Sequence, residues 1–103
     1  RAAIDALRAN AATLGASADI RAQSVAALGA AAEPYDLLLF DPPYGTGGGG
    51  ALIERLTRLG WAAPMAWASV ETARDEAVSA GGWILDAERV HGKAKLSLLR
   101  REA

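Results

Sequence analysis

Tyr35-Asp36-Leu37-Leu38-Leu39-Phe40-Asp41-Pro42-Pro43-Tyr44 is the stretch on which the reading of this chain turns. Four consecutive apolar residues, Leu37 to Phe40, predict a strand buried on both faces, as in a parallel sheet. Two prolines cannot continue a central strand, so the chain must leave the sheet at Asp41-Pro42-Pro43-Tyr44. In an open parallel sheet, ligands gather beyond the carboxyl ends of the strands. Asp41 to Tyr44 stand at such an end.

Outward from that strand the pattern is α/β. Ile4, Leu7, Ala11 and Leu14 recur at spacings of three and four, so residues 2–14 read as an amphipathic helix. Asp5 lies in its first turn and Gly15 follows its last, as the helix dipole and a left-handed cap require. Asp19 to Gln23 reads as a short strand, and Ser24 caps a short helix through about Ala31. Glu33-Pro34 ends that helix, because a residue before proline avoids the helical region. After Tyr44, Leu52, Ile53, Leu56 and Leu59 mark a second amphipathic helix that Gly60 closes. Ala66 to Glu71 reads as a strand, residues 72–80 as room for a helical turn, and Gly81-Gly82 as a turn. Trp83 to Val90 and Lys93 to Arg100 then read as a hairpin joined across His91-Gly92. Trp61, Trp67 and Trp83 are expected in core or half-buried packing.

Composition narrows the function. The chain has 103 residues, formal net charge -1, 51% hydrophobic and 22% charged residues. That suits one folded domain and excludes wholesale disorder. With no cysteine and one histidine, disulfide scaffolds, cysteine-ligated zinc and histidine metal clusters drop out. No apolar run reaches the ~18 residues of a membrane span, so no membrane partner is expected. A cytoplasmic location and a monomer are further expectations. Near-neutral charge restricts any nucleic-acid contact to a local patch. Alanine is the commonest residue and arginines outnumber lysines nine to two, which reads as coding bias. The start at Arg1, without an initiator Met or signal peptide, points to processing or to a piece of a longer protein.

The chemistry of Asp41 to Tyr44 suits a planar substrate bearing an exocyclic amine. Such a nitrogen is a poor nucleophile while its lone pair is delocalised into the ring. Asp41 can accept one N–H and the Pro42 carbonyl the other, drawing the nitrogen toward tetrahedral geometry. Pro42 has no N–H to compete with its carbonyl. Tyr44 can stack on the ring. The plain alternative is a turn built from ordinary turn residues.

The segment Leu37 to Tyr44 resembles motif IV of S-adenosylmethionine-dependent amino-group methyltransferases. Within them the chain looks most like the RsmD-type enzymes that methylate a guanine N2 in 16S ribosomal RNA. Arg8 to Gly15, the strand Ala68-Ser69-Val70-Glu71, and Arg89-Val90-His91-Gly92-Lys93-Ala94-Lys95-Leu96 share the likeness. The closing hairpin of that family often reads Arg-x-Tyr-Gly-x-Thr, and here His91 and Ala94 depart from it. The resemblance implies a Rossmann-like class I methyltransferase sheet with a C-terminal antiparallel hairpin, its N-terminal strands missing. It implies that residues 1–103 are the C-terminal part of such a domain. It makes Asp41, Pro42, Pro43 and Tyr44 the catalytic motif, S-adenosylmethionine the cofactor and ribosomal RNA or a small-subunit precursor the partner, with no metal. Where the family commonly has an Asp near the cofactor adenine, this chain has Gln23-Ser24, whose amide and hydroxyl can still bond an adenine edge. Asp41 borders the same cofactor site. Arg89, His91, Lys93 and Lys95 would contact RNA phosphates, the alternative being a solvated hairpin edge.

One rival reading uses Gly45-Thr46-Gly47-Gly48-Gly49-Gly50, which matches G-x-G-x-x-G. With Glu71 ending the next strand, it describes an NAD-binding βαβ unit. Against it, Asp41 to Tyr44 separate strand from glycines, and the run also suits a flexible loop beside a target base. The remaining alternative is an inert structural or interaction fragment.

Overall fold

The computed structural model describes residues 2–41 and 49–102. Helix α1 spans Ala2–Leu14, strand β1 Tyr35–Phe40, helix α2 Gly49–Arg58, β2 Ala62–Ala73, β3 Trp83–His91 and β4 Ala94–Arg101, with a 3₁₀ turn at Val25–Ala27. The four strands form one sheet in the order β1-β2-β4-β3. β1 and β2 are parallel, and both β2–β4 and β3–β4 are antiparallel. The predicted α/β sheet with a closing antiparallel hairpin is present.

Local chemistry explains the elements. At the end of α1, Gly15 adopts φ 66. The Ala16 N–H donates to Ala11 O at 2.9 Å and the Gly15 N–H to Ala12 O at 3.2 Å, a Schellman cap. The hairpin turns at Gly92-Lys93, with Gly92 at φ 59 and Lys93 at negative φ. A glycine first in a two-residue turn marks type II′, whose twist matches the flanking strands. The turn lies one residue later than the spacing predicts.

One face of the sheet carries the core. Ala66, Ala68 and Val70 of β2 and Leu99 of β4 are buried against Ile53 of α2, with Val78, Ala80 and Trp83 closing the cluster. Three small or β-branched residues in alternation on β2 make a shallow surface on which α2 can sit close. Leu38 and Phe40 of β1 join this face.

The opposite face corrects the expectation for β1. Leu37 is 56% and Leu39 73% exposed. Parallel pairing holds, but burial on both faces does not. Among the described residues α2 covers one face only, and β1 has a strand on one side only. Side chains alternate across a strand, so every second leucine meets solvent. For the same reason Trp67, opposite Leu37, is 36% exposed, with the Arg100 guanidinium 6.0 Å from its ring. The stripe of α1 fares alike, with no buried residue in that helix and Leu14 79% exposed.

Other expectations also shift. Asp19 to Gln23 is not a strand: its backbone has no ladder partner, and Arg21 folds onto Asp19 at 2.9 Å. The helix expected from Ser24 shrinks to the single 3₁₀ turn, in which the Ser24 Oγ accepts from the Ala26 N–H at 3.2 Å. β2 runs from Ala62 to Ala73, longer than expected at both ends. Its early part holds Pro64 and Met65 at φ 66, where the register jumps between Tyr35–Ala62 and Leu37–Trp67. A proline removes a ladder donor there, so the pairing bulges. Beyond Ala73 a tight turn replaces the helical one. The Glu76 N–H donates to Ala73 O at 3.1 Å, and the Glu76 carboxylate accepts from the Ala73 N–H at 3.0 Å.

Candidate active site at the carboxyl end of the parallel strands

Asp41 follows the last residue of β1, where Phe40 pairs with Val70, and its side chain is exposed. Pro42, Pro43 and Tyr44, with Gly45 to Gly48, lie outside the described residues. Asp41 shares a cavity of about 350 Å³ with Ser24, Val25, Ala26, Leu39, Phe40 and Leu52. The sequence separates Ser24 from Asp41 by a whole strand, and the fold sets them on one wall.

Two side chains bring the 24–31 segment there. The Arg55 guanidinium, from α2, donates to Ala26 O at 2.8 Å and to Leu28 O at 3.0 Å. The indole N–H of Trp61 donates to Gly29 O at 2.9 Å. The Ala31 N–H adds a bond to Leu59 O at 2.8 Å. The short turn is thus tied to the end of α2 by carbonyls that no helix or sheet would satisfy. Neither Arg55 nor Trp61 was marked by the sequence as more than a helix residue and a packing aromatic. Their signal is positional, one donor on the helix that follows the site strand and one just beyond its end.

Ser24 lines both the Asp41 cavity and a neighbouring cavity with Arg21 and Gln23, whereas Gln23 does not reach the Asp41 cavity. The walls of the Asp41 cavity are mainly apolar, with one hydroxyl and one carboxylate. That lining fits a planar heteroaromatic group presenting a polar edge.

The last two glycines of the run open α2. Both are buried, and an added Cβ would meet the Val70 side chain at 3.2 Å from Gly49 and the Ser79 carbonyl oxygen at 2.0 Å from Gly50. Close packing requires glycine at Gly50 and favours it at Gly49, independently of any phosphate. Glu71, which the rival reading needs at the end of its strand, sits two residues inside β2 opposite Leu96.

The basic cluster divides. Ala73 pairs with Ala94, so the hairpin turn stands beyond the carboxyl end of β2, on the Asp41 side of the sheet. Arg89, His91 and Lys93 are exposed. Lys95 is not: it is 9% exposed, and its ammonium lies 3.1 Å from Glu88. Its position in β4 places it on the core face with Ser97 and Leu99, so the expected phosphate contact from Lys95 is corrected to a structural ion pair. A cation not marked from sequence, Arg74, is exposed beside Lys93 at the same end.

Among the described residues no helix is long and apolar enough to cross a membrane. A comparison with the curated proteins found no match. Among solved structures, a candidate methylase from Haemophilus influenzae superposes with TM-score 0.86 at 24% identity, over 100% of this chain and 68% of that one. A candidate methyltransferase from Escherichia coli gives TM-score 0.84 at 29% identity, over 100% of this chain and 60% of its own. A conserved hypothetical protein of Streptococcus pyogenes gives TM-score 0.64 at 21% identity, over 76% of this chain and 48% of its own. The chain thus has the fold of these proteins and spans between about half and two thirds of their lengths. A family model described as Conserved hypothetical protein 95 matches residues 1–100, and the chain belongs to that family.

Proposed function

We propose that the protein carrying this chain transfers a methyl group from S-adenosylmethionine to the exocyclic N2 amine of a guanine in small-subunit ribosomal RNA. The observation that carries the reading is Asp41, set just past a parallel strand on the wall of a cavity shared with Ser24. The Escherichia coli neighbour's description as a candidate methyltransferase supports the reaction class. The resemblance of Leu37 to Tyr44 to an amino-methyltransferase motif supports the substrate class.

The cofactor supplies an electrophilic sulfonium methyl, so the protein's task is chiefly alignment. Ser24 and the apolar wall hold the cofactor's adenine. Asp41 accepts one N–H of the target amine, and the Pro42 carbonyl accepts the other. Held this way, the nitrogen directs its lone pair away from the ring plane. Tyr44 receives the base by stacking once it has left its own helix.

The test is methyl transfer by the full-length protein to unmethylated 16S ribosomal RNA and to small-subunit precursors. Asp41→Ala is expected to lower the rate at least about 100-fold, as misplacement of a reacting atom does. An Asp41→Ala enzyme of normal rate would remove the basis of the proposal.

A further inference from the structure

We propose that Arg74 and Lys93 form a cleft that holds one RNA phosphodiester beside the base-receiving end of the sheet, an inference that rests on the RNA methyl-transfer reading. The cleft is a cavity of about 650 Å³ lined by Ala73, Arg74, Asp75, Gly92 and Lys93. Both cations are exposed. Their backbones are tied together, the Arg74 N–H donating to Lys93 O at 2.9 Å. The Arg74 guanidinium lies 3.5 Å from Gly92 O, beside the turn. Gly92 takes φ 59 and has no side chain to close the cleft. A guanidinium and an ammonium carried on one two-strand junction present the donors an anion needs.

Charge selects the ligand. Two cations and the Asp75 carboxylate line the cavity, a net of one positive charge. That matches the single negative charge of a phosphodiester and disfavours a polyphosphate. Position selects the role. Asp41 stands level with Glu71, since Phe40 pairs with Val70, and Arg74 lies three residues further along the same direction. At ~3.4 Å per residue this is roughly 10 Å along the strand direction. A phosphate in the cleft would belong to the strand whose base is presented to Asp41.

The experiment is fluorescence anisotropy of the full-length protein with a labelled fragment of 16S ribosomal RNA, over a series of KCl concentrations. The Arg74→Ala/Lys93→Ala variant is expected to bind about 10-fold more weakly, with the salt slope reduced by about 1 to 2. Asp75→Asn is expected to bind about 2- to 5-fold more tightly, because it removes an exposed like charge. A purely structural role for these residues would not produce that opposite sign. An unchanged affinity and slope in the double variant, or weaker binding by Asp75→Asn, overturns the cleft. So does inorganic phosphate that competes as well as the RNA fragment, since that would identify a free-phosphate site, and so does wild-type protein that binds no RNA. Asp41→Ala should fail to methylate the RNA. If it methylates normally, the parent reading fails while the binding result stands.

Discussion

Gly50→Ala is expected to destabilise the protein, although alanine is the better helix former. Gly50 lies in the first turn of α2, and a Cβ there would stand 2.0 Å from the Ser79 carbonyl oxygen and 3.1 Å from its carbon. Real Cβ atoms keep at least 3.0 Å from such an atom, so helix and loop must part by about 1 Å. Ser79 has little freedom to give way. Val78 and Ala80 on either side are in the core, the Trp83 N–H bonds Ala80 O at 3.1 Å, and the Gly81 N–H bonds the Glu54 carboxylate at 2.8 Å. Overpacking of this kind costs about 1–3 kcal/mol or more, against at most ~1 kcal/mol from helix propensity. The expected net loss is about 2 kcal/mol, or a fall in Tm of about 10 °C for a domain of this size. Urea unfolding should show a lower midpoint with an unchanged slope. Gly29→Ala supplies the control: it meets nothing within 4 Å and has no positive φ, so it should be neutral or gain about 0.4–1 kcal/mol. If Gly50→Ala matched Gly29→Ala, the close approach of α2 to Ser79, and with it the packing account of these glycines, would be wrong.

Three further outcomes are expected in the same unfolding assay. Ser97 is fully buried, and its hydroxyl has no partner among the described residues. Ser97→Ala should therefore raise stability by about 1 kcal/mol, and a loss would reveal a partner. Trp83→Phe removes the indole bond to Thr57 Oγ1 at 3.1 Å and should cost about 1 kcal/mol. An intact midpoint would deny that bond any weight. Lys95→Met should change stability by less than about 1 kcal/mol, because an apolar side chain of similar length suits its buried site, whereas Glu88→Ala should be worse, leaving the ammonium unpaired. The reverse order would contradict the ion-pair reading.

Short-range chemistry determined much of this protein from sequence alone. The period of Ile4, Leu7, Ala11 and Leu14 and the glycine after them place α1 and its cap. Leu37 to Phe40 followed by two prolines place a parallel strand and its exit. The paired β-rich runs around Gly92 place the hairpin. Each signal lies within a few residues, where backbone sterics and side-chain period act. Tertiary structure alone decided the rest, because burial depends on what covers a surface. It left alternate residues of β1 exposed, unpaired the Asp19 to Gln23 segment and turned Lys95 inward onto Glu88. It set Ser24 beside Asp41 through the carbonyls that Arg55 holds, and brought Arg74 to Lys93 across β2 and β4. These are contacts between distant residues, and no local preference of either partner encodes them.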